Sequence, residues 1–199
     1  MVVFDATMLM LLLRPESGSP IDSATGKPVE HVQQRIAHFI EQQDKSKARI
    51  GIPTPALSEV LVRSGPSAIQ VIEKLKEFSI FEILPFDELS SIELALMTRD
   101  AIDSGDKKSG SIEVWNKIKY DRQIAAIARV HQATAIYTDD GGLRKTADRL
   151  GIPAIGLADI PIPPEKAQKE LDLKPKTEMS DEPSLDEIEE ARDAEQPGI

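Results

Sequence analysis

The sequence has no cysteine and only three histidines. Disulfides and thiolate metal sites are thereby excluded, and nothing argues for secretion. His31, His38 and His131 have no ligand-like spacing, so zinc lacks its usual donor set. A long apolar run is also missing. The longest near the N-terminus is Ala6 to Leu13 with Thr7 inside it, far below the roughly 20 residues that a membrane span needs. No basic leader segment or cleavage signal accompanies it. The chain is expected to be soluble and cytoplasmic, with no membrane partner.

Positive charge is scarce as well. The formal net charge is -10, and it is unevenly spread: 12 acids face five bases from Pro164 onward, against 22 and 19 in the rest. A mildly acidic body cannot attract nucleic acid by bulk charge, which requires a basic face. Any polyanion must be held by a local basic patch or through a metal. At 199 residues the chain can bury one sizeable core and is short for two ordinary domains. We therefore expect one domain over residues 1–162 and an acidic, Pro-containing, disordered tail over 163–199. Ser184-Leu185-Asp186-Glu187 fits a capping box and marks one short helix within that tail.

What is present is an alternation of short apolar strands and amphipathic helices. Val2-Val3-Phe4 is a strand ending at Asp5, after which Ala6 to Leu13 reads as a helix. Polar turn residues from Arg14 to Gly26 interrupt the pattern, and a helix resumes near Pro28. Arg49 to Ile52 is a strand. Thr54-Pro55 then supplies an N-cap and a first-turn proline for a helix carrying Glu59. Ser67 to Phe78 is a helix, Ile80 to Leu84 a strand and Glu88 to Ile102 a helix. Ser104 to Ser111 reads as a flexible polar loop. Asp121 is expected to head a helix whose buried stripe is Ile124, Ala125, Ile127 and Ala128. Ala133 to Tyr137, Gly142 to Leu150 and Pro153 to Gly156 complete the series as strand, helix and strand. Such βα alternation predicts a three-layer α/β/α sandwich around a parallel sheet of four to five strands.

In that fold four acids lie near the carboxyl edge of the sheet, where open α/β sheets hold their ligands: Asp5, Glu59, Asp121 and Asp140. Four converging carboxylates repel one another unless positive charge sits between them. A divalent cation supplies it, and all-oxygen ligation suits Mg²⁺ or Mn²⁺. Taken singly, Asp5, Asp121 or Asp140 is better explained as a helix cap, and only the set favours a metal.

The segments Val3-Phe4-Asp5-Ala6-Thr7, Thr54 to Val60, Tyr120 to Ala128 and Ala135 to Leu143 together resemble the PIN-domain ribonucleases, in particular the single-domain VapC-type toxins. The resemblance spans about residues 1 to 160. It implies sheet order 3-2-1-4-5 and assigns Asp5, Glu59, Asp121 and Asp140 to metal binding and catalysis. It also implies supporting roles for Thr138 and Thr7. Because strand side chains alternate, Thr138 and Asp140 share a face and Asp139 points away, leaving Asp139 as a secondary candidate.

The activity implied is metal-dependent hydrolysis of RNA, with RNA as substrate; an antitoxin-like protein and a second copy of the chain are the candidate protein partners. Lys117, Lys119, Arg122, Arg144 and Lys145 lie near two of the acids in sequence and are candidates for the substrate path, although scattered surface charge explains them nearly as well. Two other function classes compete. A PIN-like binding module with a silent site keeps the acids without using them. A haloacid-dehalogenase-like phosphatase needs an acid two positions after its nucleophilic Asp, where this chain has Thr7.

Overall fold

The computed structural model describes residues 1–14, 18–22 and 25–164. The expected disordered tail and its short helix lie outside the described residues, apart from the first two positions at 163 and 164. Within Met1–Pro163 the chain forms β1 (Val2–Phe4), α1 (Ala6–Leu13), α2 (Val32–Lys45), β2 (Ile50–Pro53), α3 (Thr54–Ser64), α4 (Ala68–Glu77), β3 (Phe81–Leu84), α5 (Glu88–Asp103), α6 (Trp115–Val130), β4 (Ile136–Tyr137), α7 (Gly141–Arg149) and β5 (Ala154–Ile155).

The five strands form one sheet in the order β3-β2-β1-β4-β5, and every pairing is parallel. Its central strand is explained by alternation of side chains across the pleat. Val3 packs with Ile52, Leu84 and Ile136 beneath Val60 of α3, Ile124 and Ile127 of α6 and Leu143 of α7. Val2 and Phe4 point the other way, into a cluster with Ile36 and Phe39 of α2, Leu157 and Ile160. On that side Phe4, Phe39 and Tyr137 group their rings at centroid distances of 4.5 to 5.7 Å, within the range for favourable aromatic pairs. Helix α1 contributes to both clusters, Leu9 to the first and Met8 and Leu11 to the second. Burial on both faces is why the strands are apolar throughout rather than alternating.

Three local expectations are corrected. Asp121 does not head its helix: α6 begins at Trp115, and Asp121 sits near its middle. The N-cap, Val114, makes no side-chain capping bond, so the true start carries none of the capping chemistry by which a helix beginning is read. Helix α2 begins at Val32 rather than near Pro28, because Pro28 is bridged to Ile21 in an antiparallel pairing and His31 takes a left-handed conformation, φ 57°, before the helix. Thr54 is not a cap either. It is already helical, and its hydroxyl accepts the Phe86 N–H at 3.0 Å, tying the chain after β3 to the start of α3.

The polar loop between α5 and α6 is anchored. Arg122, 4% exposed, donates to the Lys107 carbonyl at 2.7 Å and to Ser109 Oγ at 3.0 Å. Arg149 donates to the Ser109 carbonyl. No helix among the described residues is long and apolar enough to cross a membrane.

Candidate metal centre at the carboxyl edge

Strand β1 ends at Asp5, and this carboxylate has two jobs. Its Oδ1 accepts the Met8 N–H at 2.8 Å, capping α1, while its Oδ2 accepts a hydrogen bond from Thr138 Oγ1. The same Thr138 oxygen accepts the Asp140 N–H at 3.0 Å. One buried hydroxyl thus joins the ends of the adjacent strands β1 and β4. Asp140 is the N-cap of α7: its Oδ1 accepts the N–H groups of Gly142 and Leu143 at 2.8 and 2.9 Å. The capping reading and the site reading of these acids are therefore compatible, since each carboxylate keeps oxygen capacity beyond its cap bonds.

Asp121 reaches the same place from the middle of α6. Lys117, one turn earlier, donates to both oxygens of Asp140 at 2.8 and 2.7 Å and lies 3.4 Å from Asp121 Oδ2. Glu59 stands on α3 at the edge of the group, 47% exposed, and its Oε1 accepts from Arg63 at 2.6 Å. Asp5, Thr7, Ser58, Glu59, Lys117, Asp121 and Asp140 all line one open cavity of about 630 Å³.

Asp139 is placed apart from them. Its Oδ1 accepts the Leu157 N–H at 3.1 Å, and its Oδ2 is buried without a hydrogen-bond partner among the described residues. Of the other basic candidates, Lys119 lies over the Trp115 ring at 5.6 Å, and Arg144 reaches the Ala154 carbonyl and Asp159. Arg122 holds the loop as described. Lys145 remains exposed and, with Lys108 and Arg149, borders the narrow gap that opens beside Asp121 and Gly142.

Electrostatics separate the three aspartates. Burial pushes the Asp5 carboxyl up to about 7, against the lowering effect of the Met8 N–H and Thr138. Burial, and then the neighbouring Asp140 charge, raise Asp121 to about 6. Asp140 is also penalised by burial, but the Lys117 ammonium and the two helix N–H groups outweigh that and hold it below the usual carboxylate value. Lys117 is raised: burial works against its charge, but the bond to Asp140 and the negative charge of both aspartates prevail.

No protein-family model matches the sequence, and no curated protein matches it either. Solved structures do match by shape. A chain from the crystal structure of VapBC2 from Rickettsia felis, bound to a DNA fragment from their promoter, superimposes with a TM-score of 0.50 and 16% identity over 78% of this chain and 98% of that chain. This likeness agrees with the all-parallel 3-2-1-4-5 sheet. The fold is PIN-like. Another match is DNA-bound VapBC from Salmonella typhimurium, with a TM-score of 0.48, 15% identity and coverage of 79% of this chain and 99% of that one.

In the PIN-like sheet, β1 and β4 flank the point at which strand order reverses, the position where open α/β sheets hold ligands. The donor set there is made of carboxylate oxygens, which fits Mg²⁺ or Mn²⁺ and does not fit zinc. Among the described residues, however, no three acids or histidines stand close enough around one point to hold an ion together. The arrangement is one of mutual charge pairing: Lys117 bridges Asp140 and Asp121, and Arg63 takes Glu59. The residue types suit a divalent cation once these pairs open. Sequence reasoning placed Lys117 only among substrate contacts, although its spacing of four residues from Asp121 on a helix was a legible sign of the pair.

Proposed function

We propose that this protein is a divalent-metal-dependent phosphodiesterase acting on RNA, with Mg²⁺ or Mn²⁺ held by Asp5, Asp121 and Asp140 and by Glu59 at the edge. The observation that carries this reading is the delivery of carboxylates from separate elements, β1, α6 and the β4–α7 turn, to a single open cavity at the switch point of a PIN-like sheet. A metal ion bound there would polarise the scissile phosphate and lower the pKa of a coordinated water.

The chain's own groups would do the remaining work. Thr138 holds Asp5 in place through its hydroxyl, and the cap bonds to Gly142 and Leu143 orient Asp140. Asp121, reaching the cavity from α6, would orient the attacking water. Thr7 and Ser58 line the cavity wall, and Lys145, which borders the narrow gap, would meet a flanking phosphate. The test is cleavage of labelled single-stranded RNA by the full chain with Mn²⁺, with chelator, and with Asp5→Asn. Loss of cleavage in both of the latter is expected; cleavage by Asp5→Asn that persists in chelator would overturn the reading.

The reading extends to a protein partner. The likeness to a VapBC2 chain supports a role as the toxin half of a toxin–antitoxin pair, neutralised by a small antitoxin-like protein. Co-purification with the product of an adjacent small gene, together with loss of RNA cleavage in that complex, is the expected result. A second reading, a silent PIN-like module, draws on one observation: Lys117 and Arg63 already neutralise acids of the group. Absence of Mn²⁺ binding would favour it.

A further inference from the structure

Three charged side chains meet against the bare Cα of Gly142. A Cβ built there would lie 2.5 Å from Asp121 Oδ2, 3.1 Å from Asp140 Oδ1 and 3.2 Å from Lys117 Nζ. The small volume beside Gly142 is therefore shared by two carboxylates and one ammonium. Lys117 grips both oxygens of Asp140 and faces Asp121, which is how a bridging cation sits between two carboxylates. Its side chain is 34% exposed, so it can swing outward without disturbing the core. Arg63, the other cation on the cavity wall, is engaged with Glu59.

We propose that Lys117 is an internal counter-cation that holds the Asp121–Asp140 pair together in the metal-free protein, competes with a divalent cation for it, and is released toward the cavity mouth when the metal binds. This rests on the metal-dependent reading above. Two carboxylates around one small volume repel unless positive charge lies between them. A lysine on the same helix face as Asp121 supplies one such charge at no cost in association entropy, because it is tethered. A metal entering the pair must first break the Lys117 bonds to Asp140. Its apparent affinity is then reduced by the fraction of molecules in which the lysine has already swung out. The device keeps the site charge-balanced without metal and sets a threshold of free metal for loading. Lys117 is in this sense a positioning residue for the acids.

The experiment measures Mn²⁺ binding calorimetrically at pH 8 for the full chain, for Lys117→Met and Lys117→Gln, and for Lys117→Arg, with thermal melts to confirm folding. It also follows the Lys117 side-chain NMR signal during Mg²⁺ titration. We expect the two neutral variants to bind Mn²⁺ about five- to tenfold more tightly than the parent chain and Lys117→Arg to stay within about twofold of it. The Lys117 signal should move with the same midpoint as metal binding. If the parent binds Mn²⁺ while a folded neutral variant binds equally or more weakly, or if the Lys117 signal stays still at saturating Mg²⁺, the lysine's role falls and the metal reading stands. If neither the parent nor any variant binds Mn²⁺, both fall together.

Discussion

The site has two halves that are built differently. Asp5, Thr138 and Asp140 sit at strand ends, and main-chain groups fix the two carboxylates, Met8 N–H on Asp5 and Gly142 and Leu143 N–H on Asp140, with Lys117 added on Asp140. Glu59, Lys117 and Asp121 sit on helices and are held by charges on other side chains, Arg63 for Glu59, Lys117 for Asp121, and the two aspartates for Lys117. Backbone donors cannot leave without undoing a helix start. Side-chain ions can exchange one partner for another at small cost. The strand-end half is therefore a fixed frame, whereas the cations of the helix-borne half can give way to another cation.

The largest effect that would sharpen this comparison is on cleavage. Asp5→Asn and Asp140→Asn keep a capping side chain and should lower Mn²⁺-dependent RNA cleavage on the order of a thousandfold, the loss of several kcal/mol of transition-state stabilisation. Glu59→Gln, on the helix-borne half and half exposed, should cost only about tenfold. Single-turnover assays at saturating Mn²⁺ measure both, and equal losses would break the distinction between halves.

Next in size is a pH effect on stability. The folded-state Asp5 carboxyl lies near 7, against 3.8 ordinarily. Protonated Asp5 is thus favoured by folding: its contribution is fully present below about pH 4 and is lost as pH rises through 7. At pH 8 the metal-free protein carries this penalty in full, at most about 4 kcal/mol. Asp5→Asn should therefore be more stable than the parent at pH 8 in chelator and similar to it at pH 4. Urea unfolding at the two pH values tests the sign, and a variant less stable than the parent at pH 8 would contradict it.

A smaller effect separates framing from charge. Asp140→Ala removes the cap of α7 and should destabilise the fold by about 1–2 kcal/mol more than Asp140→Asn does. Thermal melts in chelator should resolve the two. Smallest of all, Arg63→Met removes an exposed ion pair and should change stability by less than about 1 kcal/mol; a larger loss would mean that this pair belongs to the fixed frame.

Much of the architecture was readable in advance because it follows local rules. The apolar run Val2-Val3-Phe4 with an acid after it, the Gly-rich start of α7 and the helical stripe from Ile124 to Ala128 all announce their elements by periodicity and punctuation. Two helix starts without a side-chain cap, at Trp115 and at Val32, were misplaced because such a start leaves no mark in composition. Of the site, Asp5 and Asp140 were legible as acids at element ends and Glu59 as an acid within a helix, whereas Asp121 was read at a helix start and stands in mid-helix. The pairings were not legible. Thr138 meets Asp5 across 133 positions and Lys117 meets Asp140 across 23, and neither spacing carries a local signal.

The sequence alone fixes the lack of thiolate ligands, the βα alternation, and the placement of acids where strands end and helices run, since these depend on residue types and short-range period. Which acids share a cavity, that the partner of the averted Asp139 is the Leu157 N–H, and that an ammonium rather than bare repulsion lies between Asp121 and Asp140, were settled by the packing. Those outcomes depend on how the sheet order brings distant segments side by side and on how much water each carboxylate loses there, and both are properties of the packed molecule rather than of any stretch of chain.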